Sequence, residues 1–359
     1  MARADAAKPN LAVGLWLIGV CIMVYAMILV GGATRLTDSG LSITEWDLGK
    51  GLVPPLSQRA WAEEFSLYRT TTEYQQLNRG MSLADFQYIY FWEWGHRFLG
   101  KMIGLVFAVP FVAFWLRGQL RGRFLACLGL FALGGMQGAI GWWMVTSGLH
   151  GRLDVSSFRL MVHLGMAFMI LGLGASVAMG ALGWPRGGSK IGVPRWLLWA
   201  FCGLVFGQVL MGALVAGIDA GRAYTDWPMI GGEWVPSNYW HLQPASQNFF
   251  ENPATAQFNH RIGGYLAALV GLCIGLGALR FGTGPARIVG LSIGGIVLLQ
   301  TGLGIATVMH GAPLGMSLVH QGLAVLLWLS VVAGLRVSMA REPVTAAESH
   351  ALHEVASTA

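Results

Sequence analysis

Four histidines in this 359-residue chain fall a few residues inside one end of an apolar run: His96 in "FWEWGHRFLG" (91–100), His163, His260 in "QFNHRIGGYL" (257–266) and His320. Ionisable groups at membrane depth are costly, and they mark functional sites. A single such histidine can serve merely as a hydrogen-bond donor to a neighbouring helix. Four at equivalent depth, in two pairs, point to ligation instead. Two imidazoles from facing helices of a four-helix bundle can fill both axial positions of one haem, its propionates turned toward the polar interface. One pair in each half of the chain gives two haems, with His96, His163, His260 and His320 on the irons. A zinc site would want a third or fourth ligand held closer together. A dicopper or diiron site would want more histidines or carboxylates at that depth. Stacking two haems between one pair of helices takes histidines about 13 residues, roughly 20 Å, apart on each helix. His150 and His163 have that spacing, but the intervening "HGRLDVSS" reads as a loop. Both haems are therefore expected near the outer face, which disfavours a transmembrane electron wire.

Other polar residues cluster around these positions. Glu93 precedes His96 by one helical turn and shares its face, so a carboxylate is expected close to the edge of the macrocycle. There it could stabilise positive charge developing on the substrate, or accept a proton as water is added. The alternative is an interfacial carboxylate bonded to a Trp or to Arg97. Arg97 and Arg261 directly follow proposed ligands and point about 100° away from them. Each could reach the interface to pair with a propionate or a loop carboxylate, or could simply anchor the topology. Gln137 and Gln300 can hydrogen-bond across the bundle, for packing or for catalysis. His350 and His353 lie in a polar tail; His150, His241 and His310 fall in or beside outer loops and read as surface residues.

The elements that must position these groups are membrane spans. Hydrophobic residues make up 55% of the chain and charged residues 11%, against about 25% charged in soluble domains. Eight apolar runs, each near the 20 residues needed to cross a bilayer, fall at about 11–33, 86–115, 124–146, 158–182, 196–218, 256–280, 288–309 and 317–335. Short loops carrying Arg117, Arg121, Arg123, Arg186, Lys190, Arg195, Arg280 and Arg287, and the exit bearing Arg336 and Arg341, lie on one side. By the positive-inside rule that side is cytoplasmic, as are both termini. Two long loops, 34–85 and 219–255, lie opposite and are rich in Trp, Tyr, Pro and acids. The net charge of +6 forms no water-facing basic stripe, so no nucleic-acid partner is expected. The N-terminal tail is too short for a transit peptide, and the first run reads as a retained helix. Cys21, Cys127, Cys202 and Cys273 all lie inside apolar runs and read as packing residues, with no loop disulfide. Gly134/Gly138, Gly271/Gly275 and Gly290/Gly294 have the spacing that lets membrane helices pack closely.

The chain repeats itself. "HRFLG" from His96 matches "HRIGG" from His260; Gln137 and Gln300 follow at 41 and 40 residues, and His163 and His320 at 67 and 60. Upstream, "GGATRLTDSG" (31–40) matches "GALVAGIDAG" (212–221), aligning Asp38 with Asp219. The expected fold is an all-α polytopic membrane protein, eight transmembrane helices forming two tandem, similarly oriented four-helix bundles over 1–185 and 186–359. The repeat sets Gln257 where Glu93 stands. The ligand pattern is thus used twice and the acid once, as in an enzyme half joined to an electron-handling half.

These residues resemble a known family. "GGATRLTDSGLSITEW", "PPLSQRAWAEEFSLYRTTTEYQQLN", "FWEWGHRFLGK", "QGAIGWWMVTSGL", "GALVAGIDAGRAYTDWPMI", "NHRIGGY", "QTGLGIATV" and "HQGLAVLL" together resemble haem A synthase, in the branch shared by alphaproteobacteria and mitochondria. The resemblance runs from about residue 12 to 335. It implies two four-helix bundles, a resident haem b on His260 and His320, and the substrate haem O on His96 and His163. The implied reaction oxidises the C8 methyl of haem O to the formyl group of haem A through successive hydroxylations, for cytochrome oxidase biogenesis. It also implies a bacterial inner-membrane location, haem O synthase as substrate donor and cytochrome oxidase assembly factors as acceptors, and it leaves self-association open. Some bacterial members carry cysteine pairs in the outer loops; this chain has none there, so loop thiols cannot handle its electrons. Two other classes stay open on the residues alone: a bis-haem carrier exchanging electrons with quinone, and a haem transporter or chaperone.

Overall fold

The computed structural model describes residues 8–45, 51–149, 152–184 and 189–338. His150, Arg186, Arg341, His350 and His353 lie outside the described residues. Eight helices among those described are long and apolar enough to cross a membrane: α1 Leu11–Leu36, α4 Leu83–Leu116, α5 Phe124–Thr146, α6 Ser157–Ala181, α7 Arg195–Gly217, α10 Pro253–Phe281, α11 Gly284–Met309 and α12 Leu314–Val337. The chain is a multi-pass membrane protein. The long loops carry the short helices α2 Gln58–Tyr68, α3 Thr72–Gln76, α8 Ala220–Ala223 and α9 Asn248–Glu251.

Helix ends extend past the apolar runs because polar residues cap them. Ser82 and Asp85 form a reciprocal capping box that starts α4 ahead of its first apolar turn. Asn252 caps α10 through Ala254 N and Thr255 N, with Pro253 at the first helical position. Beyond α1 and α7 the chain turns through Asp38 (φ 49°) and Asp219 (φ 51°), two non-glycine residues in the left-handed region at the positions aligned by the repeat. Duplication is thus visible in the backbone as well as in the sequence.

Helices α1, α4, α5 and α6 form one bundle and α7, α10, α11 and α12 the other, and the two dock through α1, α6, α7 and α12. The docking is pairwise symmetric. A methyl group built on Gly165, two residues after His163, would meet Leu210 and Phe206 of α7; one on Gly322, two residues after His320, would meet Leu29 and Tyr25 of α1. Leu29 and Tyr25 hold the repeat positions of Leu210 and Phe206. Helices α6 and α12, which carry His163 and His320, therefore lie in the seam between the halves, whereas α4 and α10, which carry His96 and His260, lie outside it. At the end of the molecule carrying the short basic loops, Arg123 donates to Lys8 O and Gly180 O, and Arg336 to Ser176 O and Trp184 O. Both described chain ends thus lie on that side.

One expectation fails. Gly271, Gly275, Gly290 and Gly294 do draw α10 and α11 together: a methyl on Gly275 would sit 2.9 Å from Gly294 Cα. Gly134 and Gly138, with the same spacing, meet nothing within 4 Å. Close packing needs small residues on both helices. Facing α5, helix α4 presents Phe107 and Phe111, which stack on Phe131 at centroid distances of 6.0 Å and 6.0 Å.

At the other end, Trp61, Phe65 and Tyr68 of α2 pack on Phe86, Ile89 and Tyr90 of α4. Phe65 and Phe86 stack at 4.9 Å. This aromatic cluster fixes loop 51–82 over the N-terminal bundle.

Candidate functional site: two facing histidine pairs beneath the outer loops

Each expected pair forms. The His96 and His163 ring centroids stand 6.4 Å apart, and those of His260 and His320 6.5 Å apart. A metal–imidazole bond is about 2.0–2.1 Å, so two imidazoles on opposite sides of one metal have nitrogens about 4 Å apart and ring centres roughly 2 Å farther. Both gaps match that width.

Each ring also lies against a glycine on a neighbouring helix. A methyl on Gly31 of α1 would come within 3.0 Å of His96 Nε2; on Gly141 of α5, within 3.0 Å of His163 Cε1. In the other half, a methyl on Gly212 of α7 would approach His260 Cε1 to 3.2 Å, and one on Gly304 of α11 would approach His320 Cε1 to 2.8 Å. These four glycines are two repeat-related pairs, Gly31 with Gly212 and Gly141 with Gly304. Sequence reasoning missed them, although two lie in the aligned upstream segments, because a glycine opposite a ligand looks like any other glycine in a Gly-rich span.

Glutamines surround the rings. Gln137 donates to His163 O at 3.0 Å, Gln300 lies 3.3 Å from His320 Nε2, and Gln208 contacts His260 Nδ1 at 3.1 Å and its carbonyl at 2.8 Å. The amide oxygens of all three are buried without a partner, as are Nδ1 of His163 and of His320. A metal-bound histidine donates its second ring N–H to an acceptor that fixes its orientation. The unpaired amide oxygens are acceptors of the kind such a ring N–H needs. Gln208 was not foreseen; its repeat position holds Met27.

Glu93 is buried, 3% exposed, and its contacts differ from an acid simply facing a macrocycle. Oε1 pairs with Arg97 Nη2 at 2.7 Å, while Oε2 accepts from Ser42 Oγ at 2.8 Å and Ile43 N at 2.7 Å. Arg97 continues to Ile43 O and Glu45 O. In the second half Gln257 accepts from Arg261, donates to Ala220 O and Tyr224 O, and Arg261 reaches Met229 O. Both pairs therefore pin the loop that follows the bundle's first helix. Glu93 does so by accepting from the loop, Gln257 by donating to it.

Above the pairs, Arg35 of α1 (8% exposed) joins the halves. It lies 2.6 Å from Asp38, 2.8 Å from Asp219 and 3.7 Å from Asp154. The two left-handed aspartates that mark the repeat thus meet one arginine, whose repeat position is Ala216. Nearby Glu73 of α3 is buried with one carboxylate oxygen unpartnered. Burial, reinforced by Glu93, Asp154 and Asp38 and opposed by Arg35, pushes its carboxyl up to about 8. One cavity of about 1010 Å³ joins both histidine pairs, polar beneath the loops and apolar toward the bilayer centre. It is at the upper limit of the volume a single small-molecule pocket reaches.

Comparison with known proteins identifies the chain's relatives. Residues 14–332 match the family model described as cytochrome oxidase assembly protein. The chain is 49% identical over 326 residues to a protein of Maricaulis maris named Heme A synthase, covering 90% of this chain and 94% of that one. It is 49% identical over 343 residues (93% and 88%) to one of that name from Dinoroseobacter shibae. A third, from Paracoccus denitrificans, is 45% identical over 337 residues (89% and 86%). With two facing histidine pairs in duplicated bundles, and with these relatives, the chain belongs to the cytochrome oxidase assembly protein family that includes the haem A synthases.

Proposed function

We propose that this chain is a haem A synthase, a haem-modifying oxidoreductase that takes haem O as substrate and releases haem A. The single observation that carries this reading is the pair of histidine gaps, 6.4 Å and 6.5 Å, each one metal ion wide. The N-terminal half, 1–185, holds haem O between His96 and His163; the C-terminal half, 186–359, holds haem b between His260 and His320. When bound, haem b supplies a one-electron store beside the substrate site. Converting a methyl to a formyl group with oxygen from water releases four electrons and four protons, so the N-terminal half must move protons as well as hold a haem.

Glu93 is the group proposed for that work. A carboxylate offers about four acceptor sites, and protein donors take three of them here. The remaining site, on a residue that lines the cavity, can receive a proton or stabilise charge at the methyl carbon. Arg97 holds the Glu93 carboxyl in register, and with Arg261 puts positive charge under the loops where propionates would lie. The glycines facing the four rings leave each imidazole room to turn onto its iron. Gln208 and Gln300 contact the rings of His260 and His320, and Gln137 the His163 carbonyl, so each steadies one of these histidines.

The basic side of the bundle is proposed to be cytoplasmic, placing both haems near the outer face of a bacterial inner membrane. Haem O synthase is the proposed donor of substrate, and cytochrome oxidase assembly factors the proposed acceptors of product. An electron carrier or haem chaperone would have no use for halves that differ at Glu93 and Gln257.

Pigment analysis tests the reading. Haem extracted from purified protein is expected to contain haem O and haem A beside haem b. Finding haem b alone, together with undiminished haem A in a strain lacking the gene, would overturn it.

A further inference from the structure

The two halves differ most where α4 meets α5 and α10 meets α11. Phe107 and Phe111 stand eleven and fifteen residues after His96; Gly271 and Gly275 stand at the same distances after His260. Phe131 likewise occupies the place of Gly294, counted from Gln137 and Gln300. In the C-terminal half these glycines are buried and bring the backbones together, and Val297 seals the crossing against Gly271. In the N-terminal half the phenylalanines stack, backed by Trp16 at 5.0 Å from Phe107, and hold α4 and α5 apart. The position of Val297 is held by Gly134.

The space above that stack is open. Methyl groups on Gly104, Gly134, Gly135 or Gly138 would meet nothing within 4 Å, and all four glycines are exposed although they line the cavity. The cavity follows α4 from His96 through Ile103 to Phe107, about 16 Å by helical rise, whereas along α10 it ends at Ala267. Past Lys101, whose Nζ lies near Gly51 of the outer loop, the N-terminal extension is apolar and is flanked by the exposed glycines of α4 and α5.

We propose that this extension binds the isoprenoid chain of haem O, and that α4 and α5 form the lateral doorway through which isoprenylated haems enter from and leave to the bilayer. The proposal rests on the N-terminal pair being the substrate site. Haem O and haem A carry a long farnesyl-derived chain that haem b lacks. A protein holding both kinds must separate them on that difference, by providing room in one half and denying it in the other. Phe107, Phe111 and Phe131 act as a spacer that makes the room; Gly271, Gly275, Gly294 and Val297 close the equivalent space and exclude the chain from the resident site.

Gly134→Leu and Gly104→Leu, on opposite walls of the doorway, test this, with Gly129→Leu as control. Gly129 also has open space around it but does not line the cavity. Each purified variant is extracted and its haems identified by mass, haem b content reporting that the C-terminal half is folded. The expected result is at least tenfold less haem O plus haem A per haem b in both doorway variants, and wild-type ratios in the control. A companion measurement on wild-type protein, competing added haem O against added haem b, should show the N-terminal half preferring haem O and each doorway variant losing that preference. Wild-type ratios in both doorway variants, or no preference in the wild type, would overturn the channel. A wild-type protein with no haem O or haem A would instead overturn the substrate-site reading beneath it.

Discussion

Glu93 and Arg97 form a buried ion pair 2.7 Å long, and the same carboxylate takes Ser42 Oγ and Ile43 N from the first outer loop. One side chain thus ties together the helix that bears His96, the loop that covers it and the arginine beside it. Glu93→Gln keeps the shape and removes the charge. The Gln257–Arg261 contact shows that a glutamine can retain the arginine. The expected outcome is a protein that still binds haem while haem A formation falls roughly 10²-fold or more, the scale of a lost general acid or base. Haem A content of the membranes measures it; near-normal haem A would remove Glu93 from the chemistry.

The glycines facing the histidines predict selective defects. Gly141→Ala would place a methyl 3.0 Å from His163 and Gly304→Ala one 2.8 Å from His320, and each ring would have to turn. Gly141→Ala should deplete haem O and haem A and spare haem b; Gly304→Ala should deplete haem b and leave haem O bound. Pigment composition and the bis-imidazole absorption spectrum read this directly.

Arg35 is the cation shared by Asp38, Asp154 and Asp219. Its partners are partly solvated, which limits the cost of its loss, but Arg35→Met leaves three acids facing one another at the seam between the bundles. A destabilisation of about 1–3 kcal/mol is expected. Thermal unfolding in detergent should show a lowered midpoint, partly restored when Asp219→Asn is added. An unchanged midpoint would mean the bundles dock without this contact.

Glu73 gives a pH dependence whose sign can be worked out. Its carboxyl is raised from an ordinary 4.5 to about 8 in the folded protein. Between those values the folded chain keeps a proton that the unfolded chain has lost, so stability falls as pH rises through the window and levels off above it. Glu73→Gln removes this contribution. Its unfolding midpoint should vary less than wild type between about pH 5 and pH 8; an identical slope would show that Glu73 ionises normally.

How much of this was legible in the sequence follows from what sequence periodicity can carry. The eight spans, the duplication and the pairing of His96 with His163 and of His260 with His320 all rest on hydrophobic run length and on repeated spacing. The partners of Glu93 were not legible, because Ser42 and Ile43 lie about fifty residues upstream in a loop with no period. Gly134 and Gly138 were misread as a packing motif because such a motif describes one helix only. Whether it closes depends on the facing residues, here Phe107 and Phe111. Arg35 was overlooked because a single arginine at the end of a span looks like an anchor until the fold brings Asp219 to it.

The division of labour between the halves is the central claim, and haem identification in two ligand variants tests it most directly. Purified His96→Ala should lose haem O and haem A and keep haem b, whereas His260→Ala should lose haem b. Loss of the same haem from both variants, or retention of haem O and haem A by His96→Ala, would contradict the account.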